Sequence, residues 1–228
     1  MKYLLTQNKE LNIILLTDQS MKIMKGYPMS PRGKEQNGQM RNIALEKITK
    51  GALAVFAEYG YYGATMKRIT DATELSYGLV YHYFTSKEEV FSYLVNLALE
   101  KTQEVFEKAL NGKGTAWEKL AFLSGALLDE SLTGDSALFF HVMLQALTQG
   151  KNIPGLQEKI DRNSEALFQK MIPVILQAQD SGDAAPGDPL ALATAYLSLV
   201  QGLALFHFQD ETISKKITPD ILLNVLRK

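Results

Sequence analysis

One seven-residue run, Tyr77 to Tyr83, brings together side chains that could do chemistry on an anion. Tyr77, Tyr81, His82 and Tyr83 offer three phenols and an imidazole, and Lys67 and Lys87 add ammonium groups on either side. Such donors suit phosphate oxygens, which position a protein on a duplex, and base edges, which specify a sequence. At helical spacing Tyr77, Gly78 and Tyr81 share one side, with His82 beside them and Leu79 in the same stretch, while Val80 and Phe84 share another. An exposed helical glycine costs about 1 kcal/mol against alanine. Gly78 makes sense if another backbone must come very close. Catalytic chemistry has no such support. There is no phosphate-cradling glycine loop, no G-x-S-x-G and no H-E-x-x-H. With no cysteine, thiolate metal sites and cysteine nucleophiles are excluded, and His82, His141 and His207 show no ligand spacing. No enzyme activity, catalytic residue, metal or cofactor is expected.

Three short helices must position these groups. Thr65, Ser76 and Ser86 can each accept the orphan N–H groups of a helix start. Ser86 and Glu89 have the spacing of a capping box. Only Thr73, Glu74 and Leu75 separate the first two helices, the joint of a helix-turn-helix, whose second helix enters the major groove. A longer helix from about 39 to 59, striped with Leu45, Ile48, Ala52, Val55, Phe56 and Tyr59 and stopped by Gly60, buttresses the pair.

Residues 41 to 90 resemble the DNA-binding domain of the tetracycline-repressor (TetR) family of bacterial regulators. Ile48, Ala52, Phe56, Gly60, Tyr61 and Thr65 match its first-helix pattern. Ile69, Ala72, Ser76, Gly78, Tyr81, Tyr83, Phe84 and Lys87 match the rest without a gap. The resemblance implies that Lys67 reads a base or phosphate, that Tyr77, Gly78, Leu79 and Tyr81 face the groove, and that His82, Tyr83 and Lys87 contact phosphates. It departs from the pattern at Glu74, where the family has glycine, and at Gly51, Thr70 and Thr73, where alanine is usual. A residue forced to positive φ at 74 would cost roughly 1–2 kcal/mol more than glycine; a differently shaped turn is the alternative.

Composition is that of a soluble globular protein, 46% hydrophobic and 21% charged over 228 residues. Residues 1–60 carry nine Lys/Arg against five Asp/Glu, a balance of +4, and residues 91–228 carry twelve against sixteen, a balance of −4. That asymmetry would orient the chain on a phosphate surface.

Beyond Ser86 the pattern is helical throughout, with helices expected at 87–110, 115–131, 135–149, 154–180, 189–209 and 219–227. Pro154, Pro189 and Pro219 suit first helical positions, and Pro173 should kink or restart its helix. The 189–209 stretch is nearly apolar all round. Its flanks, Asp188, Asp210 and Glu211, lack basic anchors, so a subunit interface is expected rather than a membrane span. Ala191, Ala195, Ser198 and Gly202 form a small-residue seam on it. The resemblance implies dimerisation through 154–180 and 189–209. Trp117, Phe140, His141 and Gln145 could line a mostly apolar effector cavity, against the plainer reading of core aromatics and a satisfied histidine.

The expected fold is all-α, a three-helix helix-turn-helix domain (39–86) followed by a larger helical ligand-binding and dimerisation domain (87–228). Residues 1–38 form an extension. Either translation starts downstream, at Met29 or Met24, or the extension is a genuine arm. The expected protein is a cytoplasmic, homodimeric repressor without a membrane segment, released from a palindromic double-stranded operator by an unknown small apolar or amphipathic effector. The alternative is the same fold controlled by a protein partner.

Overall fold

The computed structural model describes residues 34–132, 134–209 and 216–228, with side chains described at 38–129, 136–206 and 216–228. The extension up to residue 33 and the side chain of His207 lie outside the described residues. Two compact units divide the chain, residues 1–40 and residues 41–228. Of the first, the described part is the helical stretch 34–40. The second takes in both the helix-turn-helix and the larger bundle.

Among the described residues the fold is helical, with no strand and one isolated bridge, Ala184 to Arg227. Helix α1 (Lys34–Gly63) contains a break at Gly60, where φ is 65° and ψ 174°. Glycine reaches that backbone without the Cβ clash that other residues suffer. Its expected stripe is buried at Leu45, Ile48, Ala52, Val55 and Phe56, but Tyr59 is exposed. The Arg68 guanidinium lies over that ring, 4.3 Å from its centre.

Helices α2 (Met66–Thr73) and α3 (Tyr77–Tyr83) follow, then the long α4 (Lys87–Leu110). α5 (Ala116–Leu132), α6 (Gly134–Gln149), α7 (Leu156–Asp180), α8 (Pro189–Gln209) and α9 (Pro219–Leu223) complete the bundle. Its core gathers Phe106, Leu120, Leu123, Met171, Ile175, Tyr196 and Leu222. Buried Tyr196 shares a 2.8 Å hydrogen bond with Ser124, whose hydroxyl donates to the Leu120 carbonyl. That bond satisfies a phenol that burial pushes well above its ordinary pKa.

Two boundaries and one expected break differ from expectation for identifiable reasons. α7 starts at Leu156, not 154, because Gly155 precedes it in the left-handed region, φ 73°. It runs through Pro173 as one helix, with the proline on its exposed side. α9 ends at Leu223, not 227, because the last residues pair with the 183–185 loop. Ala185 donates to the Leu226 carbonyl at 2.8 Å, and the Lys228 N–H reaches Asp183.

On α8, Ala193, Tyr196, Val200 and Ala204 face the core. Ala191, Ala195 and Ser198 are exposed, as are Leu205 (50%) and Phe206 (54%), with Gly202 half-buried between them. The small-residue seam therefore lies on the outer face.

Candidate nucleic-acid interface

The three hydroxyl caps form. Thr65 accepts from the Arg68 N–H at 3.2 Å, Ser76 from Leu79 at 3.3 Å and Ser86 from Glu89 at 3.2 Å. Glu89 returns its carboxylate to the Thr85 N–H at 2.7 Å, one residue before the partner a capping box prescribes. The α2–α3 joint turns at Glu74, whose φ of 56° and ψ of 23° place a non-glycine residue in the left-handed region. Thr73 supports this turn from both sides. Its hydroxyl donates to the Thr70 carbonyl at 2.8 Å and accepts from the Leu75 N–H at 3.2 Å. α1 crosses the same spot at Gly51, where an added Cβ would stand 2.9 Å from the Thr73 methyl and 3.0 Å from the Ala72 backbone. Gly51 and Thr73 are thus a matched pair, the missing methyl on one helix making room for the extra one on the other. The Thr70 hydroxyl is buried with no hydrogen-bond partner among the described residues.

Val80 and Phe84 anchor α3 inward, and its other side stands open. Tyr77 and Tyr81 are each 45% exposed and Leu79 37%, large apolar surfaces that the fold leaves uncovered. The two phenol rings lie nearly parallel, 6.5 Å apart. A Cβ on Gly78 would meet nothing within 4 Å. His82 is exposed, its ring edge-on to the half-buried Tyr83 at 5.5 Å. Partial desolvation and then a hydrogen bond to Asp71 push the Tyr77 phenol above its ordinary pKa. Burial, opposed by the charge of Arg41, does the same to Tyr83. Both stay protonated donors at neutral pH.

Lys67 is exposed on α2, with Asp71 at 4.0 Å. Lys87 is placed differently. Its ammonium donates to the carbonyls of Tyr61, Tyr62 and Ala64 at 2.9, 3.3 and 3.1 Å and lies 4.9 Å from the centre of the Tyr61 ring. All three of its N–H donors close the end of α1, so its first role is structural. Arg68 closes the same end, donating to Gly63 at 2.7 Å. Sequence reasoning passed over Arg68 and Asp71, although Asp71 follows Lys67 by four residues, a readable helical ion-pair spacing.

The four effector-cavity candidates are held in different ways. Trp117 and Phe140 pack against the bundle core, and Arg227 lies over the Trp117 ring at 5.7 Å. Gln145 donates at 2.9 Å to the Phe56 carbonyl, tying α6 to α1. Burial lowers the pKa of half-buried His141, which favours the neutral ring. A half-open cleft of about 340 Å³ lies elsewhere, between α4, α5 and α7, and is lined by residues including Phe106, Lys119, Lys170 and Pro173. Lys170 is already held there by Glu107 at 2.6 Å and by Gln103 at 2.5 Å.

These features define an all-helical protein whose N-terminal helix-turn-helix presents an open second helix. Residues 48–94 match the model of bacterial regulatory proteins of the tetR family, which makes this stretch a tetR-family domain. The chain is 40% identical over 68 residues to the transcriptional repressor AcnR of Corynebacterium glutamicum, a match spanning 30% of this chain and 36% of that protein. The regulator PfmR of Thermus thermophilus shares the fold at a TM-score of 0.65 and 23% identity, over 81% of this chain and 97% of that one. AibR, solved with isovaleryl coenzyme A and operator DNA, does so at 0.62 and 18%, over 78% and 93%. The family is one of transcriptional regulators, not enzymes.

Proposed function

We propose that the chain is a cytoplasmic, ligand-responsive transcriptional repressor that binds a palindromic operator as a homodimer. The observation that carries this is the open side of α3, where a Cβ on Gly78 would meet nothing within 4 Å beyond its own helix among the described residues while Tyr77, Leu79 and Tyr81 stand exposed around it. No close approach among the described residues calls for a glycine there; a sugar-phosphate backbone at close range would. In this reading Lys67, Tyr77 and Tyr81 reach the groove. The exposed hydroxyl and imidazole of Thr65 and His82, with the Ser76 cap and Tyr83, meet phosphates.

Two recognition helices must sit roughly 34–36 Å apart to read a palindrome. The pairing surface is the outer face of α8 together with α7. Pro189–Phe206 is long and apolar enough to cross a membrane, with 22% of that window buried within the chain. A second copy packed along Ala191, Ala195, Ser198 and Gly202 would cover it, and the acidic flanks suit that better than a bilayer. An effector bound in the 87–228 bundle releases DNA by favouring a conformer with the wrong spacing, and only by its differential affinity for that conformer. AibR, solved with an acyl coenzyme A and operator DNA, supports a small amphipathic effector. The packing of Trp117 and Phe140 on the core supports a second reading, the same repressor controlled by a protein partner.

Selection of bound duplexes from a random pool, with purified protein at near-physiological salt, tests the proposal. Enrichment of a palindrome with half-sites one turn apart is expected. Binding without enrichment that simply fades as salt rises would overturn it.

A further inference from the structure

We propose that Asp71 is a specificity-determining positioning residue of the DNA reader, an inference that rests on the operator-binding reading above. Its carboxylate is shared between two groups assigned to the groove. Oδ1 accepts the Tyr77 hydroxyl at 3.1 Å, and Oδ2 faces the Lys67 ammonium at 4.0 Å. One side chain on α2 thereby addresses the first reading residue of each helix. Tyr77 is in turn stacked on Tyr81, so Asp71 fixes the head of an aromatic pair.

All three groups are exposed, and an exposed ion pair near the distance limit adds little to folding. The consequence is for recognition. Lys67 is a long, flexible cation that would otherwise accept any phosphate, and Tyr77 an aromatic free to swing. With Asp71 present, a phosphate that draws Lys67 away leaves an uncompensated carboxylate facing a polyanion. Only a site offering Lys67 and Tyr77 better partners offsets that repulsion. Specificity is a difference of affinities, and a repulsive element that penalises every wrong site raises it. Asp71 is such an element, and it also holds the readers near their working positions before contact.

The test compares anisotropy titrations on two labelled duplexes, one carrying the selected palindrome and one its shuffled sequence. For Asp71→Asn, affinity for the shuffled duplex should rise about fivefold or more while palindrome affinity changes far less, so the preference ratio falls by about that factor. The salt slope on shuffled DNA should steepen by up to about one unit. Asp71→Glu, which keeps the charge, should keep shuffled binding weak. Tyr77→Phe should lower the ratio without strengthening shuffled binding. Thermal midpoints of all three should stay near wild type, which a purely structural role would not allow. An Asp71→Asn ratio within about twofold of wild type, on a palindrome that wild type prefers, would overturn the inference alone. A wild-type chain with no preference would overturn it together with the operator reading.

Discussion

A methyl group on residue 78 would meet nothing within 4 Å among the described residues beyond its own helix, so Gly78 weakens that helix without a packing return there. Gly78→Ala should therefore raise stability by up to about 1 kcal/mol, read as a higher urea midpoint, while weakening binding to the selected palindrome about tenfold or more, since one close approach is lost. Both changes in the same direction would break the link between glycine and groove. Lys87 behaves oppositely. Three carbonyls share its ammonium, so Lys87→Met should cost about 2 kcal/mol of stability, in the range for charged hydrogen bonds. Any loss of DNA affinity should follow from loosened α1 rather than from a missing phosphate contact. Urea unfolding of the free protein distinguishes the two. At this scale the sequence was informative wherever function leaves a local mark. The exposed tyrosines, the caps and the glycine were all visible. Lys87 and Gln145 were not, because their partners, backbone carbonyls 23 or more residues away, carry no signature in side-chain type.

The α2–α3 joint carries the strain of the motif. Glu74 sits at φ 56°, where a Cβ crowds the backbone. Glu74→Gly should relieve roughly 1 kcal/mol net, because glycine also loses more freedom on folding. A raised denaturation midpoint with unchanged DNA preference is expected. Gly51→Ala should do the reverse and destabilise by about 1–3 kcal/mol, since its methyl would press on the Thr73 methyl and the Ala72 backbone. Pairing it with Thr73→Ala should recover part of the loss, a coupling that a double-mutant cycle in urea would read. Most helix starts were legible in the sequence because their signals are local: Ser86 before α4, Pro189 opening α8 and Pro219 opening α9. The ends of α7 and α9 that were misjudged depend on Gly155 taking φ 73° and on the terminus pairing with Ala184 and Ala185. Those are tertiary facts. Thr73 and Gly51 looked like independent departures from a family pattern and are one packing solution.

For the whole molecule, the decisive surface is the outer face of α8. Its inward residues complete the bundle core, whereas Leu205 and Phe206 stand half exposed at one end of a strip of small residues. Burying that strip against a second copy would use the hydrophobic effect that the single chain leaves unused. Ala195→Glu should place a charge in the seam and leave the chain's own core intact. Sedimentation at micromolar concentration should show a dimer for wild type and a monomer for the variant, with palindrome binding reduced to that of a single half-site. The seam was legible as a run of small residues at helical spacing. An effector cavity leaves no such mark, because aromatics at core spacing look alike whether they fill a core or line a cavity. The most direct test of the account is affinity for the selected palindrome before and after inserting about five base pairs between its half-sites, half a helical turn. Paired recognition helices one turn apart predict a fall of at least about tenfold, towards the affinity of a lone half-site. Unchanged affinity would contradict a dimer that reads DNA with two α3 helices.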